Sequence, residues 1–325
     1  PLAADSSCAA AALTRLLGEP VPAGGVRVSI VRYVPEKRCL LRYAWTDDEG
    51  RARHVLAKVY PNAEDLAAGA VQATLHSRPD GRPGPNVARV LGFWTLANVF
   101  VQEEVDGRPL YELLRAGRAG LRHQSLAAGA IQALHASSVP LSRAHGPDDE
   151  LRVVTQAVER SFLRGAERAS AQEWLALLTH RRRNLPDGPL RPSHCDFYDK
   201  QVLVDADRAI LIDFDTASLA PVEIDLANYV AHLRLRALQG YCNAREASQH
   251  AEAFLGAYRA AGGAWDDGSF DWVLATTWLR LSCVYRSRPA WPDLPGHLLA
   301  EVGCVLRDGP AWPAVQRSRL REGGR

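Results

Sequence analysis

The chain has 325 residues, 47% of them hydrophobic, and its 39 Lys and Arg against 37 Asp and Glu give a formal net charge of +2. This near-neutral balance excludes a strong electrostatic field from the net charge, so we expect neither a nucleic-acid partner nor a membrane partner. The chain lacks an apolar stretch of the roughly 18 residues that a membrane span requires, and residues 1–12 have no basic region ahead of their alanines, which predicts a cytoplasmic protein. The length predicts about two domains.

The six cysteines are scattered along the chain without C-x-x-C or Cys/His ligand spacing. Zinc sites and disulfide frameworks both depend on such regular spacing. The cysteine pattern therefore argues against a zinc centre and against a disulfide-stabilised fold.

The first hundred residues predict a small antiparallel sheet. Val26, Val28 and Ile30 alternate with polar side chains, which is typical of a half-buried strand. Asp47-Asp48-Glu49-Gly50 predicts the turn of a hairpin between the next two strands. In this region we expect helices over residues 9–17 and 63–76 and strands over residues 25–33, 39–46, 51–60, 87–93 and 98–105.

Beyond Asp106-Gly107-Arg108-Pro109, which breaks the strand pattern, the chain becomes mainly helical. This change of pattern predicts one domain over residues 1–105 and a second over residues 106–325. His135 is expected to be a packed or capping residue, and Asp225 is expected to be a helix N-cap. The predicted helices cover residues 126–136, 151–178, 226–238, 247–261, 270–286 and 295–306.

The most informative stretch covers residues 193–215. A polar loop leads into a strand over residues 201–204, a turn over residues 205–208 and a second strand over residues 209–212. Asp196 and Gln201 stand just before the first strand, and Asp213 stands at the far end of the second. This layout predicts that two carboxylates and one amide come together.

Two carboxylates and an amide at this spacing fit phosphoryl transfer. One carboxylate holds the acceptor hydroxyl in line and takes its proton, while an amide oxygen and the other carboxylate hold Mg²⁺ on a triphosphate. Asp196, Gln201 and Asp213 suit these three tasks. The alternative is an ordinary acidic hairpin turn without chemistry.

The spacing His194-x-Asp196-x4-Gln201, followed by an apolar strand running into Asp213, resembles the catalytic loop and metal motif of the aminoglycoside phosphotransferase and choline kinase-like superfamily. The resemblance implies an α+β, bilobal protein-kinase-like fold with a small antiparallel β-sheet lobe carrying one helix and a larger, mainly α-helical lobe. It implies that His194 orients the loop and Asp196 is the catalytic base. It also implies a Mg²⁺ site formed by Gln201, Asp213 and Asp215, with ATP or GTP as co-substrate.

The motif departs from the usual family pattern at two positions. Cys195 stands where the family usually has Gly, and Gln201 stands where it usually has Asn. Gln keeps the amide oxygen but adds a methylene, so it can bind a metal if the loop yields slightly. The competing interpretation is a weakened or inactive site.

The chain contains only three lysines, Lys37, Lys58 and Lys200, and all other basic side chains apart from histidine are arginines. With so strong a bias toward Arg, Lys is expected where a compact ammonium is needed. By resemblance, Lys58 in Ala57-Lys58-Val59-Tyr60 is the strand lysine that reaches the α and β phosphates, with Glu64 as its candidate carboxylate partner. Lys200 is expected to serve the same phosphates.

Two further nucleotide contacts are predicted in the first domain. The turn over residues 34–38 is expected to offer backbone N–H groups and the cationic heads of Lys37 and Arg38 to the triphosphate. The alternative is a solvated hairpin tip without a ligand. The run over residues 101–107 resembles the hinge of kinase-like folds, which implies that the Glu103 carbonyl and the Val105 amide pair with the adenine edge.

These features predict a kinase that phosphorylates a hydroxyl of a small molecule. An aminoglycoside site should be rich in carboxylates, yet residues 226–325 contain 12 Arg against 9 Asp and Glu. Three hypotheses follow: a phosphotransferase for an aminoglycoside-type antibiotic or related sugar, a metabolic kinase for a sugar, choline-like or amino alcohol, and a nucleotide-binding pseudokinase.

Overall fold

The computed structural model describes residues 2–78 and 84–308, with only the backbone of Asp308. The chain divides into two compact units. The first unit comprises Pro1–Gly107 together with Ile210–Thr216, and the second comprises Arg108–Ala209 together with Ala217–Arg325. The short segment Ile210–Thr216 thus belongs to the first unit, although it lies far along the sequence. No helix in the described part of the chain is long and apolar enough to cross a membrane.

The first unit is built on a five-stranded sheet in the order β1-β2-β3-β6-β5, in which all neighbouring strands are antiparallel. The separate strand β4 pairs in parallel with the end of β10, through Ile210 and Leu211. These pairs confirm the predicted antiparallel sheet. The strands are β1 (Arg27–Val34), β2 (Arg38–Thr46), β3 (Ala52–Val59), β4 (Asn86–Val87), β5 (Val90–Trp94), β6 (Val99–Glu103) and β10 (Arg208–Leu211).

The predicted half-buried face is present only at the start of strand β1, where Val26, just ahead of the strand, is 4% exposed and Val28 packs against the core. Ile30 is 69% exposed and Tyr33 is 64% exposed. β1 is an edge strand, and its register with β2 shifts between Ile30 and Arg32. Because an irregularity of this kind interrupts the two-residue alternation, the sequence pattern alone could not assign the faces of this strand.

Two α-helices, α1 (Ser6–Leu17) and α2 (Ala67–Ser77), belong to the described part of the first unit, one more than the resemblance implied. The Asp5 carboxylate caps α1 by accepting a hydrogen bond of 2.8 Å from the Cys8 amide. The predicted helix over residues 63–76 begins instead as a 3₁₀ turn, Ala63–Leu66, and becomes α-helical only at Ala67. In α2, a Cβ on Gly69 would lie 2.7 Å from the Phe100 ring, so glycine permits the helix to approach the sheet closely.

The second unit is mainly helical, as predicted. α9 packs against α5, α7 and α10, and α4 packs against α8. Two short antiparallel strand pairs, β7 with β9 and β8 with β11, flank the helices. The elements are α3 (Leu110–Arg115), α4 (Leu121–His135), α5 (Pro147–Arg160), α6 (Gly165–Arg182), α7 (Glu223–Leu238), α8 (Ala244–Ala260), α9 (Asp267–Tyr285), α10 (Leu294–Asp308), β7 (Arg108–Pro109), β8 (Arg191–Ser193), β9 (Val202–Asp205) and β11 (Ser218–Ala220).

The single helix predicted over residues 151–178 is wrong, because α5 and α6 are separate helices. Ser161 has an extended backbone, with φ −69° and ψ 154°. Its hydroxyl donates to the Val158 carbonyl at 2.8 Å. Such a local side-chain bond competes with the helical backbone bonds and favours an end of the helix here.

An ion pair at the start of α5 gives the stability of the protein a defined pH dependence. His145 Nε2 lies 2.9 Å from Glu150 Oε2. The hydrogen bond to Glu150 raises the pKa of His145. Burial opposes ionisation of Glu150, but the hydrogen bond from His145 and the charge of Arg280 bring its pKa below the ordinary value.

We expect this pair to stabilise the fold most strongly between pH 4.5 and 6.5, the unperturbed pKa values of Glu and His. The raised pKa of His145 contributes stability that is lost as the pH rises through its folded value. The lowered pKa of Glu150 contributes stability that is lost as the pH falls through its folded value. Urea unfolding across pH 4 to 8 should therefore show a flatter profile for Glu150→Gln than for the wild type. Identical profiles would contradict the assignment, and Glu252→Gln, on an exposed part of α8, is the matched control.

Candidate active site

Lys58 lies near the end of β3, in the first unit, and is 9% exposed. Its Nζ lies 2.8 Å from Asp213 Oδ1 and 2.5 Å from Asp215 Oδ1. The predicted partner Glu64 is therefore wrong, because the segment that ends β10 supplies two carboxylates instead. A buried ammonium requires such partners, since an unpaired charge in an apolar environment is costly.

Arg38, the first residue of β2, contacts the same two carboxylates at their Oδ2 atoms, whereas Lys58 contacts the Oδ1 atoms. Its Nη2 lies 2.5 Å from Asp213 Oδ2, and its Nη1 donates to Asp215 Oδ2. Burial opposes the charge of the guanidinium, but Asp213 and Asp215 raise its pKa. Lys37, its neighbour in the turn, is exposed, and its backbone amide donates to the Val34 carbonyl at 3.1 Å.

Tyr60 is part of this cluster, although it was not among the residues predicted from the sequence. Its buried hydroxyl donates to Asp215 Oδ1 at 2.7 Å. A signal for it existed, because Tyr60 stands two residues after Lys58, and alternate residues of an extended chain point to the same side. The carboxylate of Asp215 thus receives hydrogen bonds from Arg38, Lys58 and Tyr60.

The Asp213 and Asp215 carboxylates have the chemistry of a divalent-cation site. Both Oδ1 atoms face one ammonium and both Oδ2 atoms face one guanidinium, so the two carboxylates converge on shared positive charge. Hard carboxylate oxygens are the ligands that Mg²⁺ prefers. Asp213 has a left-handed backbone, with φ 71°, which Asp tolerates better than most residues. The donor set of Asp213 and Asp215 therefore fits Mg²⁺.

In the second unit, Asp225 holds the start of the polar loop over residues 194–201. Its carboxylate accepts hydrogen bonds from the His194 amide at 2.7 Å and from the Cys195 amide at 2.8 Å. It also lies 3.0 Å from Nε2 of the buried His135, which confirms that His135 is a packed residue. The predicted N-cap role of Asp225 is wrong, because α7 begins at Glu223 and its cap is Val222.

Cys195 occupies a backbone position that favours glycine. Its φ is 60°, in the left-handed region that side chains other than those of Gly, Asn and Asp rarely adopt. Burial and the nearby charge of Asp225 raise the pKa of its thiol well above the ordinary value. The thiol therefore stays protonated at neutral pH, and nucleophilic chemistry is not favoured there.

Asp196 and Gln201 lie together in the second unit. Gln201 Nε2 donates to Asp196 Oδ2 at 3.2 Å. Gln201 is 4% exposed, whereas Asp196 is half-buried. The amide therefore orients the Asp196 carboxylate.

The loop between Asp196 and Gln201 is anchored on α7 at three points. The buried ring of Phe197 stacks on Tyr229, with centroids 4.9 Å apart. Asn228 Nδ2 donates to the Phe197 carbonyl at 2.8 Å. Arg236 forms a bidentate ion pair with Asp199, at 2.8 and 2.7 Å. These contacts fix the backbone that carries Asp196.

We expect Asp199→Ala to destabilise the second unit strongly. Arg236 and Asp199 are only 2% and 1% exposed in their side chains, and removal of one partner of a buried ion pair costs about 3–5 kcal/mol. Replacement of both partners, in Asp199→Ala/Arg236→Met, should cost much less because no charge is left unpaired. Urea unfolding measures both variants. If the single variant were as stable as the double variant, the buried pair would not have the role assigned here.

The remaining predicted nucleotide residues have other surroundings. Lys200 is exposed, and its ammonium lies over the Tyr111 ring, 4.3 Å from the centroid. The Glu103 amide donates to the Arg89 carbonyl at 3.0 Å, and its carboxylate accepts from the Arg89 amide at 2.9 Å. Val105 is half-buried just after β6.

The comparisons with known proteins identify the family and the fold. The model of the phosphotransferase enzyme family (APH) matches residues 38–270. No curated protein sequence matches the chain.

Among solved structures, a choline/ethanolamine kinase family protein from Mesorhizobium loti has a TM-score of 0.58 at 16% identity, covering 91% of this chain and 94% of that one. The amicoumacin kinase hAmiN in complex with AMP-PNP, Ca²⁺ and Ami has a TM-score of 0.57 at 14% identity, covering 87% and 90%. The macrolide 2'-phosphotransferase MphH from Brachybacterium faecium has a TM-score of 0.55 at 14% identity, covering 91% and 97%. These likenesses confirm the predicted α+β, protein-kinase-like fold class.

Proposed function

This chain belongs to the phosphotransferase enzyme family, and from that premise we propose that it transfers the γ-phosphoryl group of ATP or GTP to a hydroxyl of a small molecule. The observation that carries the proposal is the convergence of Lys58 and Arg38 on the Asp213 and Asp215 carboxylates. A phosphotransferase needs cations for the triphosphate and carboxylates for its metal ion. This cluster supplies both.

In this proposal the first domain, residues 1–105, binds the nucleotide. Lys58 and Arg38 neutralise phosphate oxygens, and Lys37 adds positive charge for the same group. Lys200, of the second domain, is proposed to add a further positive charge. Glu103 and Val105 offer main-chain hydrogen bonds to the base. Each of these contacts replaces water around the triphosphate with a fixed charge or dipole, which lowers the cost of reorganisation during transfer.

Asp213 and Asp215, together with the amide oxygen of Gln201, would hold Mg²⁺. The bound ion would neutralise charge on the phosphates and order them for transfer. Lys58 and Arg38 bind both the Asp213 and Asp215 carboxylates, so both carboxylates would become available to a cation once these side chains turn to the phosphates.

The second domain, residues 106–325, carries the acceptor chemistry. Asp196 positions the acceptor hydroxyl and accepts its proton as the oxygen attacks the γ-phosphorus. His194 helps to orient the loop, and the loop's own backbone is held by Asp225. No covalent intermediate with the protein is required, because the phosphoryl group passes directly between the two oxygens.

We propose an aminoglycoside-type antibiotic or a related sugar as the acceptor, with the protein acting in the cytoplasm. The name of one structural neighbour, an aminoglycoside-3'-phosphotransferase of type VIII, supports this class. The choline/ethanolamine kinase and glucosamine kinase names support the alternative of a metabolic kinase for a sugar or amino alcohol.

The pseudokinase hypothesis rests on Gln201, which replaces the usual Asn. The hydrogen bond from Gln201 to Asp196 favours activity instead, because it shows the longer side chain reaching the carboxylate. We therefore keep the active kinase as the proposed function.

One experiment tests the proposal directly. Purified protein is incubated with Mg²⁺ and ATP or GTP against a panel of hydroxylated acceptors that includes aminoglycosides, amino sugars and choline, and ADP or GDP release is recorded. A phosphorylated acceptor, identified by mass spectrometry, is the expected result. Mg²⁺-dependent thermal stabilisation by nucleotide without turnover of any acceptor would support the pseudokinase. If the protein showed neither stabilisation nor turnover, nucleotide binding itself would be refuted.

A further inference from the structure

A cavity of about 850 Å³ lies within the second unit, away from the residues assigned to catalysis. It is formed by the end of α4, the loop ahead of β8, the start of α7 and the loop between α8 and α9. Its volume falls in the range of about 300–1,000 Å³ that is typical of small-molecule sites. Asp196, Gln201 and His194 do not line it.

The cavity contains two carboxylates that lack a cationic partner. Glu223 is 6% exposed, and its Oε1 accepts a hydrogen bond of 2.7 Å from the Asp266 amide. Asp266 Oδ1 accepts from the Ser269 amide and caps α9. Across residues 2–78 and 84–308, no Lys, Arg or His nitrogen lies within 4.0 Å of either carboxylate. Burial, and the nearby charge of Asp266, raise the pKa of Glu223.

The remaining charged residues of the cavity do not change this balance. Asp187 is exposed and is already paired with Arg182 at 2.5 Å. Arg191 is exposed as well. Glu223 is buried and Asp266 is exposed. Together these two carboxylates give this side of the cavity an excess of negative charge, which favours a cationic ligand.

Two aromatic rings form another wall of the cavity. The Tyr258 and Trp265 rings lie 6.0 Å apart between centroids. The Arg259 guanidinium lies 3.9 Å from the Trp265 ring, so this ring already stabilises a cation through its π face. A Cβ on Gly263 would lie 2.2 Å from Tyr258 Cε1, so glycine is needed for this wall to form. A flat apolar group suits such a surface.

The wall of the cavity is connected by hydrogen bonds to the loop that carries Asp196. The Tyr258 hydroxyl lies 2.8 Å from His135 Nδ1, and both residues line the cavity. His135 Nε2 lies 3.0 Å from the Asp225 carboxylate, which accepts from the amides of His194 and Cys195. A ligand that displaces Tyr258 or His135 would therefore change the support of this loop.

We propose that this cavity binds a small organic amine, whose ammonium lies between Glu223 and Asp266 and whose apolar part lies against Tyr258 and Trp265. Its occupancy changes the stability of the loop over residues 194–201. The site is separate from the acceptor site of the proposed kinase. The proposal does not depend on that activity, since binding to the cavity can be measured without turnover.

The test uses tryptamine as the probe, because it combines a protonated amine with a flat ring, and N-acetyltryptamine as the neutral match. Isothermal titration of the full chain should show one tryptamine site. Loss of a charge-assisted contact weakens binding by about 10- to 100-fold, and we expect this loss for N-acetyltryptamine, for Glu223→Gln and for Asp266→Asn. Asn retains the capping oxygen at position 266, so this variant should fold normally. Glu252→Gln, on an exposed part of α8, should bind like the wild type.

Hydrogen exchange at the His194 and Cys195 amides is the second measurement. Exchange should change at least about twofold when tryptamine is bound to the wild type, and it should not change in Glu223→Gln at the same concentration. Absence of tryptamine binding, or equal affinity in Glu223→Gln, Asp266→Asn and the wild type, would overturn the site. Unchanged exchange at both amides in the saturated wild type would overturn its connection to the loop.

Discussion

Asp196→Ala is expected to abolish phosphoryl transfer while leaving nucleotide binding nearly intact. Removal of a general base typically lowers the rate by about 10²- to 10⁴-fold, and Asp196 also positions the acceptor hydroxyl in the proposed mechanism. The nucleotide contacts are assigned to Lys58 and Arg38 and not to Asp196. Turnover and nucleotide affinity should therefore separate in this variant.

The measurement combines steady-state rates with titration of a non-hydrolysable ATP analogue in the presence of Mg²⁺. The matched control is Asp207→Asn, because Asp207 is an exposed carboxylate of the turn after β9 and its side chain is 80% exposed. The control should keep both wild-type turnover and wild-type affinity. Ordinary turnover in Asp196→Ala would show that the base is assigned wrongly. Loss of nucleotide binding in Asp196→Ala, with an unchanged free energy of unfolding, would contradict the assignment of Asp196 to the acceptor and of Lys58 and Arg38 to the nucleotide.

Much of the fold could be predicted because its elements are encoded locally. The antiparallel strands follow from alternating apolar residues and the turn at residues 47–50, and the helical second unit follows from apolar residues at helical spacing. The boundaries failed where a local feature overrode the pattern. Ser161 ends α5 with a side-chain bond, and the irregularity after Ile30 changes the exposed face of β1.

The site was predicted only in part, because its partners are far apart in sequence. A fixed spacing identified Asp196, Gln201 and Asp213, but no local pattern links Lys58 to residues more than 150 positions away. The resemblance implies a carboxylate partner on the helix that follows Lys58, whose only glutamate is Glu64, whereas the fold supplies Asp213 and Asp215.

The role of Asp225 could also not be assigned from local sequence. Its position at the start of an apolar run suggested a helix cap, but it is the third residue of α7 and its carboxylate binds two loop amides instead. Capping and loop anchoring require the same residue type at nearly the same place. Only the tertiary fold distinguishes them.

Asp213→Ala is expected to remove the metal-dependent part of nucleotide binding and to leave the metal-independent part unchanged or stronger. One of the two converging carboxylates would be lost, so the Mg²⁺ concentration needed for half-maximal stimulation should rise by about 10-fold or more. Lys58 and Arg38 would each lose one of their two anionic partners. Because those cations are then less strongly held by the protein, they should bind phosphate oxygens at least as well when metal is absent.

Titration of a non-hydrolysable ATP analogue with and without Mg²⁺ measures both parts, and Asp48→Asn, in the exposed turn between β2 and β3, is the matched control. Its affinity should show the full wild-type dependence on Mg²⁺. If Asp213→Ala kept that dependence, Asp213 would not hold the metal. If affinity in the absence of Mg²⁺ fell sharply while the fold stayed intact, the Asp213 carboxylate would act mainly by placing Lys58 and Arg38 for the phosphates. The two outcomes distinguish a metal ligand from a residue that positions the cations. This distinction is the central question about the site, because Asp213 accepts hydrogen bonds from both Lys58 and Arg38.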